Sequence, residues 1–275
     1  MADPATADFV SEGSKLNSAV RDDGYALSVE AVTKRFGGVV ALLDVNLRIH
    51  RGPGISAVIG PNGAGKTTLF NVLSGVIKPT AGSVRINGED VTGLREDHIF
   101  RRGVSRTFQG VRLFEHLSAF KNVWLAAGSA DDRKMKAVAH WFTGTAANQC
   151  AAEAMTTVGL EESVWSKLPS ELSLWQLRLV EIARAITSRP HLLLLDEPAA
   201  GLNTVEKSRM CDLLRMLSTV LGCRIVIVEH DMKLVMSVAD HIWVMNFGRL
   251  LAQGSPAEIQ NDPNVIEAYL GKVST

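Results

Sequence analysis

The stretch Gly60-Pro61-Asn62-Gly63-Ala64-Gly65-Lys66-Thr67 constrains this chain more than any other. It matches the pattern G-x-x-x-x-G-K-[ST] and lies between a short apolar strand pattern, ISAVIG, and a helical pattern, KTTLFNVLSGVI, whose spacing predicts a helix running to near Pro79. Glycines at these positions let backbone N–H groups wrap the β-phosphate of a nucleotide. Lys66 then neutralises β and γ oxygens, Thr67 offers a hydroxyl to Mg²⁺, and the helix N-terminus adds its dipole. A glycine-rich turn with no ligand accounts for the glycines, but not for a lysine and a threonine in these places. The loop is therefore expected to bind a nucleotide with Mg²⁺.

A second element belongs with the loop. In LLLLDEP, residues 192–198, an apolar strand carries Asp196 to its end to hold the magnesium shell. Glu197 follows into the crevice, where it is the candidate base for an attacking water. An acid pair directly after four leucines is poorly explained as a solvated loop.

Around these motifs the chain reads as mixed α/β. LSVEAVTKRF and ALLDVNLRIH alternate like strands, and SVRINGEDV sets Asn87-Gly88 between two short runs, the signature of a two-residue hairpin. From about Arg95 to Ser188 the character turns helical, with FKNVWLAA, ANQCAAEAMTTVGL and LWQLRLVEIARAIT as predicted helices. HLLLLDE and CRIVIVEH return as buried strands separated by the helical VEKSRMCDLLRMLSTVLG, the alternation of a parallel sheet. A closing hairpin, HIWVMNFGRLLAQG, precedes a short helix around NVIEAYLGK. The organisation expected is a flexible N-terminal arm over residues 1–26 and one domain over 27–275, with the helical segment of about 95–188 inserted in its core.

Composition excludes several classes. At 46% hydrophobic and 21% charged residues the chain is a soluble globular protein with enough apolar content for one or two cores. Lys plus Arg equals Asp plus Glu at 29 each, so no global field draws it to nucleic acid or anionic lipid. Arg101, Arg102 and Arg106 read as a solvated basic face. Cys150, Cys211 and Cys223 lack metal-ligand spacing and read as structural thiols in a reducing compartment. The N-terminus is polar and acidic, and no apolar run approaches membrane-spanning length. Membrane association is expected only through a partner.

Taken in order, GPNGAGKTT, the Gln of RTFQG, the L-S-x-x-Q of residues 172–176, LLLLDEPAAGLN and the His of VEHDM resemble the ABC-transporter ATPases. The resemblance spans nearly all of the chain after residue 27. It implies an α/β P-loop ABC ATPase fold: a mixed β core with a RecA-like parallel sheet, an antiparallel β subdomain and a helical subdomain. It also implies that Phe36 stacks on adenine, that Thr68 joins the nucleotide contacts, and that Gln109 touches magnesium and signals to membrane subunits. Ser173 then meets the γ-phosphate of ATP held by another subunit, and His230 contacts the γ-phosphate as a switch. Taken alone, Phe36 reads as core, Gln109 as a surface amide and His230 as a capped strand end.

FGGVVAL, RTFQGVRLFEHLSAFKNV, EIARAI, EPAAGLN and GSPAEIQNDPNVIEAYLG further resemble the ATP-binding subunits of branched-chain amino-acid importers and their relatives for amides and urea. Asn203, where many ABC ATPases have Asp, agrees with that subgroup. The partners implied are a second ABC ATPase subunit in a homo- or heterodimer, two transmembrane permease subunits, and indirectly an extracytoplasmic solute-binding protein, with no nucleic acid. Permease docking is expected along Phe108 to Trp124, with Leu113, Phe114, Leu117 and Trp124 forming an apolar groove. The location implied is cytoplasmic, peripheral on the inner face of the membrane.

One stretch departs from the family. Where its members have L-S-G-G-Q or L-S-Y-G-Q, this chain reads Leu172-Ser173-Leu174-Trp175-Gln176. Glycine at a phosphate-contacting turn permits close approach and unusual φ, and an indole forfeits both. Three readings fit: an asymmetric dimer whose partner carries an intact signature, a chain that has lost activity, or an indole turned into apolar contacts with Leu172 or Leu179 that leaves Ser173 in place. The leading function is an ATP hydrolase driving solute import. The alternative is a nucleotide-binding partner that closes on ATP with little turnover.

Overall fold

Two sheets pack against each other beneath the phosphate loop in the computed structural model, which describes residues 24–108, 110–129 and 145–270. The expected N-terminal arm, apart from its last residues, and Gln109 lie outside the described residues. The first sheet is antiparallel, in the order β2-β1-β4-β5, and comprises β1 (Tyr25–Phe36), β2 (Val39–His50), β4 (Ala81–Ile86) and β5 (Glu89–Asp90). Asn87 and Gly88 both take positive φ, 50° and 81°, between β4 and β5, as a tight hairpin of this handedness requires.

The second sheet runs β10-β9-β3-β8-β7-β6. Its parallel members are β3 (Gly54–Ile59), β6 (Val104–Arg106), β7 (Leu192–Asp196), β8 (Arg224–Val228) and β9 (His241–Asn246), and β10 (Arg249–Gly254) closes it antiparallel. Side chains of one strand alternate between faces. Leu193 and Leu195 accordingly enter the core beneath the helices, while Leu192 and Leu194 enter the core between the two sheets. Covering both faces explains why these strands are continuously apolar.

The helices are α1 (Lys66–Leu73), α2 (Glu96–Phe100), α3 (Ala119–Ser129), α4 (Thr145–Thr157), α5 (Glu162–Trp165), α6 (Leu174–Ile186), α7 (Thr204–Leu221), α8 (Met232–Val238), α9 (Pro256–Gln260) and α10 (Pro263–Leu270). The longest, α7, has local reasons for both ends. Asn203 caps it by accepting from the Glu206 N–H, the Glu206 carboxylate accepts from the Asn203 N–H, and Gly222 stops it at φ 61°.

Two boundaries differ from the sequence reading. Helix α1 stops at Leu73, well short of Pro79, because Gly75 turns to φ 78° and a Cβ there would sit 2.7 Å from the Leu94 carbonyl oxygen. Strand β6 lies inside the stretch read as the helical insert, yet it pairs in parallel with β7 through Val104, Ser105 and Arg106. A strand of 3 residues carries little periodic signal, and the pairing is decided by β7 rather than by β6 itself.

Gly60 leaves β3 at φ 150° with its α-carbon against the Met245 carbonyl oxygen, which a Cβ would overlap. Replacing it is expected to cost about 1–3 kcal/mol of backbone strain before any repulsion from that carbonyl is counted. Gly60→Ala should therefore lower the melting temperature by several degrees in a thermal scan. A variant that melts with the wild type would show that β9 does not press on the loop.

Candidate functional site

The phosphate loop is built by strand and helix together. Ala64 N–H bonds the Pro61 carbonyl at 3.1 Å, and Leu69 N–H bonds the Gly65 carbonyl at 2.8 Å, so the loop winds directly into α1. Gly63 has φ 79° with open space where its Cβ would be, whereas a Cβ at Gly65, φ 100°, would stand 2.6 Å from the Ala41 carbonyl oxygen. The loop is also held from behind. Gly248 N–H donates to the Ala64 carbonyl at 3.0 Å, Leu43 N–H donates to the Gly248 carbonyl at 2.8 Å, and the Gly60 N–H bonds the Tyr269 phenol, which burial pushes up to a pKa of about 12.

Lys66 is buried, and its ammonium donates to the carbonyls of Gly60 at 2.7 Å and Pro61 at 3.0 Å. Burial lowers its pKa, and the charges of Glu197 and Asp196 oppose that shift, which places the lysine and the acid pair within electrostatic reach of one another. Pro61, Asn62, Thr67 and Thr68 complete the loop, with Asn62 and Thr67 exposed. Phe36 is 48% exposed at the end of β1, paired with Val39 two residues before the Ala41 that touches the loop. It is a surface aromatic, not core, and Lys34 lies 4.9 Å over its ring.

Asp196 ends β7 at 1% exposure. Burial raises its pKa, and Arg106 opposes the rise by donating to Oδ2 at 3.0 Å. Its other oxygen, Oδ1, is buried with no hydrogen-bond partner. A buried carboxylate oxygen left without a partner fits a hard divalent cation such as Mg²⁺. Among the described residues no group of three or more His, Cys, Asp or Glu side chains could hold a metal ion, so the remaining ligands of such an ion would be phosphate oxygens and water.

Arg106 corrects the sequence reading of a solvated basic face. Its side chain is 6% exposed and is held by Asn71 Oδ1 at 2.7 Å, Ser74 Oγ at 2.9 Å and Asp196. Arg102, the second of that run, pairs with Glu89. The signal for Arg106 lay in the short run GVSRTF, which contains β6, and β6 delivers its last residue, Arg106, opposite Leu194.

Glu197 and His230 come together, with His230 Nδ1 3.9 Å from Glu197 Oε1. Glu197 takes φ 50°, a left-handed turn that swings its side chain out of the strand direction. Sequence reasoning missed the residue that supports both. Glu229, 1% exposed, accepts from the Ala199 N–H at 2.9 Å and the His230 N–H at 3.3 Å, and burial raises its pKa. The pattern was present: IVIVEH repeats the geometry of LLLLDE, an apolar strand delivering an acid and then a polar group.

The stretch around Trp175 opens helix α6. Ser173 is the N-cap: its hydroxyl accepts from the Gln176 N–H at 3.3 Å, and the Gln176 side chain accepts from the Ser173 N–H at 3.0 Å. Trp175 sits in the first turn, is not among the residues with positive φ, and packs half-buried against the core that contains Leu172 and Leu179. Position 175 therefore makes no glycine-only demand on the backbone, contrary to the expectation from the sequence. The indole's bulk at the helix start remains.

The expected docking stretch is only partly a groove. Leu113 and Trp124 pack against the main core, while Phe114 is 54% exposed. Asn122, 0% exposed, pins this turn by accepting from the Phe114 N–H and donating to the carbonyls of Phe114, Leu117 and Ser118.

Comparison with known proteins agrees with this fold. The family described as ABC transporter matches residues 42–200, and that described as branched-chain amino acid ATP-binding cassette transporter matches residues 249–274. The chain is 42% identical over 251 residues to the high-affinity branched-chain amino acid transport ATP-binding protein BraF of Pseudomonas aeruginosa, covering 90% of this chain and 98% of that one. It is 40% identical to LivG of Escherichia coli K12, a protein described in the same words, with the same coverage. A solved nucleotide-free ATP-binding cassette from an ABC transporter superposes with a TM-score of 0.79 at 28% identity, over 90% of this chain and 100% of that one. A dimeric cassette in a post-hydrolysis state with ADP and Pi gives 0.72 at 28% identity, over 84% and 98%.

The conformation at Trp175 makes a stability test decisive. Glycine in a helix costs about 1 kcal/mol, and an apolar side chain removed from its packing costs a further 1–3 kcal/mol. Trp175→Gly is thus expected to melt several degrees below the wild type. A gain in stability would mean that tryptophan is strained there after all.

Proposed function

This chain belongs to the ABC-transporter ATPase family, and from that premise we propose that it binds and hydrolyses ATP to energise import of branched-chain amino acids, or of related small polar or amide solutes, through separate membrane permease subunits. The observation that carries the reading is the convergence of Lys66, Asp196, Glu197 and His230 at the ends of β3, β7 and β8. Ligands of open α/β sheets bind outside the carboxyl ends of the strands.

In this proposal the N–H groups of Gly60 to Thr67 and the ammonium of Lys66 hold the β- and γ-phosphates, with Pro61, Asn62, Ala64 and Thr68 shaping the loop and Phe36 offering its exposed face to adenine. Thr67 and Asp196 would hold Mg²⁺, together with Gln109, which lies outside the described residues. The ion supplies charge neutralisation of the transferring phosphoryl group. Glu197 accepts the proton of the attacking water, and His230, fixed beside it through Glu229, contacts the γ-phosphate side. Ser173, at the N-terminus of α6, serves the nucleotide of a second ATPase subunit. That dimer, two permease subunits and, indirectly, a solute-binding protein are the partners proposed, placing the chain peripherally on the inner face of the membrane. No helix among the described residues is long and apolar enough to cross a membrane.

A second reading, a low-turnover nucleotide-binding partner, is favoured by one observation, the indole of Trp175 in the first turn of α6. Measuring turnover of wild type and Trp175→Gly, each alone and with a partner ATPase, separates the two. Because the backbone at 175 is ordinary helix, we expect a change below about twofold; a gain of about a hundredfold, the size of one lost phosphate contact, would favour the second reading.

Two substitutions test the hydrolase assignment. Lys66→Ala should abolish saturable ATP binding. Glu197→Gln should keep ATP affinity within a few-fold while turnover falls by about 10² or more. Equal turnover in Glu197→Gln and wild type would remove Glu197 from the mechanism.

A further inference from the structure

Arg106 has more partners than a structural arginine needs, and they belong to three different parts of the site. Nη1 donates to Asn71 Oδ1 and Ser74 Oγ, both at the end of the helix that follows the phosphate loop. Nη2 donates to Asp196 Oδ2 at 3.0 Å. The guanidinium also lies over two rings, 5.7 Å from the centroid of Phe70 on α1 and 5.2 Å from that of Phe108. Its hold on one oxygen fixes the rotation of the Asp196 carboxylate and leaves Oδ1, which has no partner, directed elsewhere.

The contacts continue beyond Phe108. The far cation on the same ring is Arg112, 5.0 Å from the centroid. The Arg112 backbone is held on both sides by α6: its N–H donates to Glu181 Oε1 at 3.1 Å, and its carbonyl accepts from Arg184 Nη1 at 2.5 Å. Glu181 is 7% exposed and bonds Arg178 at 3.1 Å, and Arg178 donates to the Ala200 carbonyl at 3.4 Å, in the turn after Glu197. An arginine–phenylalanine–arginine stack therefore joins the end of β7 to the helix that opens with Ser173.

We propose that Arg106 is the positioning residue for Asp196, and that the Arg106–Phe108–Arg112 stack braces this carboxylate against helix α6. The proposal rests on the ATPase reading above and deepens it. A planar guanidinium suits the role, because its fork fixes direction as well as charge and its face stacks on a ring; lysine supplies charge alone.

The test uses the full chain with Mn²⁺ as the probe, its binding followed by electron paramagnetic resonance in the presence of a non-hydrolysable ATP analogue. Affinity for fluorescent ATP without metal reports separately on folding and on the phosphate loop. Arg106→Gln should weaken Mn²⁺ binding about tenfold or more, as loss of a partner behind a metal ligand does, and leave metal-free nucleotide affinity within a few-fold. Arg106→Lys should lie between the two. Phe108→Leu should weaken Mn²⁺ about threefold in the wild type and have almost no further effect in Arg106→Gln, because both act through one contact chain. Unchanged Mn²⁺ affinity in Arg106→Gln overturns the positioning role, and additive effects of Phe108→Leu overturn the stack. Should Arg106→Gln fail to bind nucleotide, Arg106→Lys and Phe108→Leu decide: Mn²⁺ affinity equal to wild type in both overturns the proposal. Wild-type protein that binds no ATP would instead defeat the ATPase reading itself.

Discussion

The site depends on keeping one carboxylate charged where the fold has removed its water. Asp196 closes a strand whose four preceding residues are all leucine and all buried, and burial by itself favours the protonated form. Two cations oppose this: Arg106 through a direct hydrogen bond and Lys66 at longer range. Each cation is itself buried and shifted toward neutrality by the same desolvation. None of the three is comfortable alone; breaking such a buried pair costs about 3–5 kcal/mol because it strands the partner. The charges are mutually required, and that requirement holds α1, β6 and β7 in register.

Around this centre the backbone is held by contacts that admit no side chain. Gly60 lies against Met245, and Gly65 and Gly248 both lie against the Ala41 carbonyl. The phosphate loop thus rests on the β9–β10 turn and on β2, elements from opposite ends of the chain. Tyr269 on α10 adds the last support at Gly60. A loop fixed this way has its N–H groups aimed in advance, which is the condition under which electrostatic stabilisation of a transferring phosphoryl group costs no reorganisation.

The same logic governs the opposite wall. Glu197 and His230 are both partly exposed, and the buried Glu229 binds the backbone beside each of them. On the third side, Ser173 and Gln176 cap α6 reciprocally, so Trp175 sits in a helix already started correctly. A large residue is thus tolerated at this position by the chain's own fold.

By itself the sequence determined what depends on local pattern: the phosphate loop between strand and helix, the acid pair after LLLLDEP, the Asn87-Gly88 hairpin, and the alternation of strand and helix that makes a covered parallel sheet. In each case the physical requirement, a glycine turn, a buried strand end or a positive φ, falls on consecutive residues and leaves a mark there. Tertiary structure alone decided the rest. Arg106 looks like a member of a surface run until β6 pairs with β7 and seals it against Asp196. The ordinary backbone of Trp175 follows from the Ser173 cap and from the core beneath it, and the buried role of Glu229 follows from a loop 30 residues away. Such properties are set by which distant residues exclude water from a charge, and sequence neighbours carry no record of that.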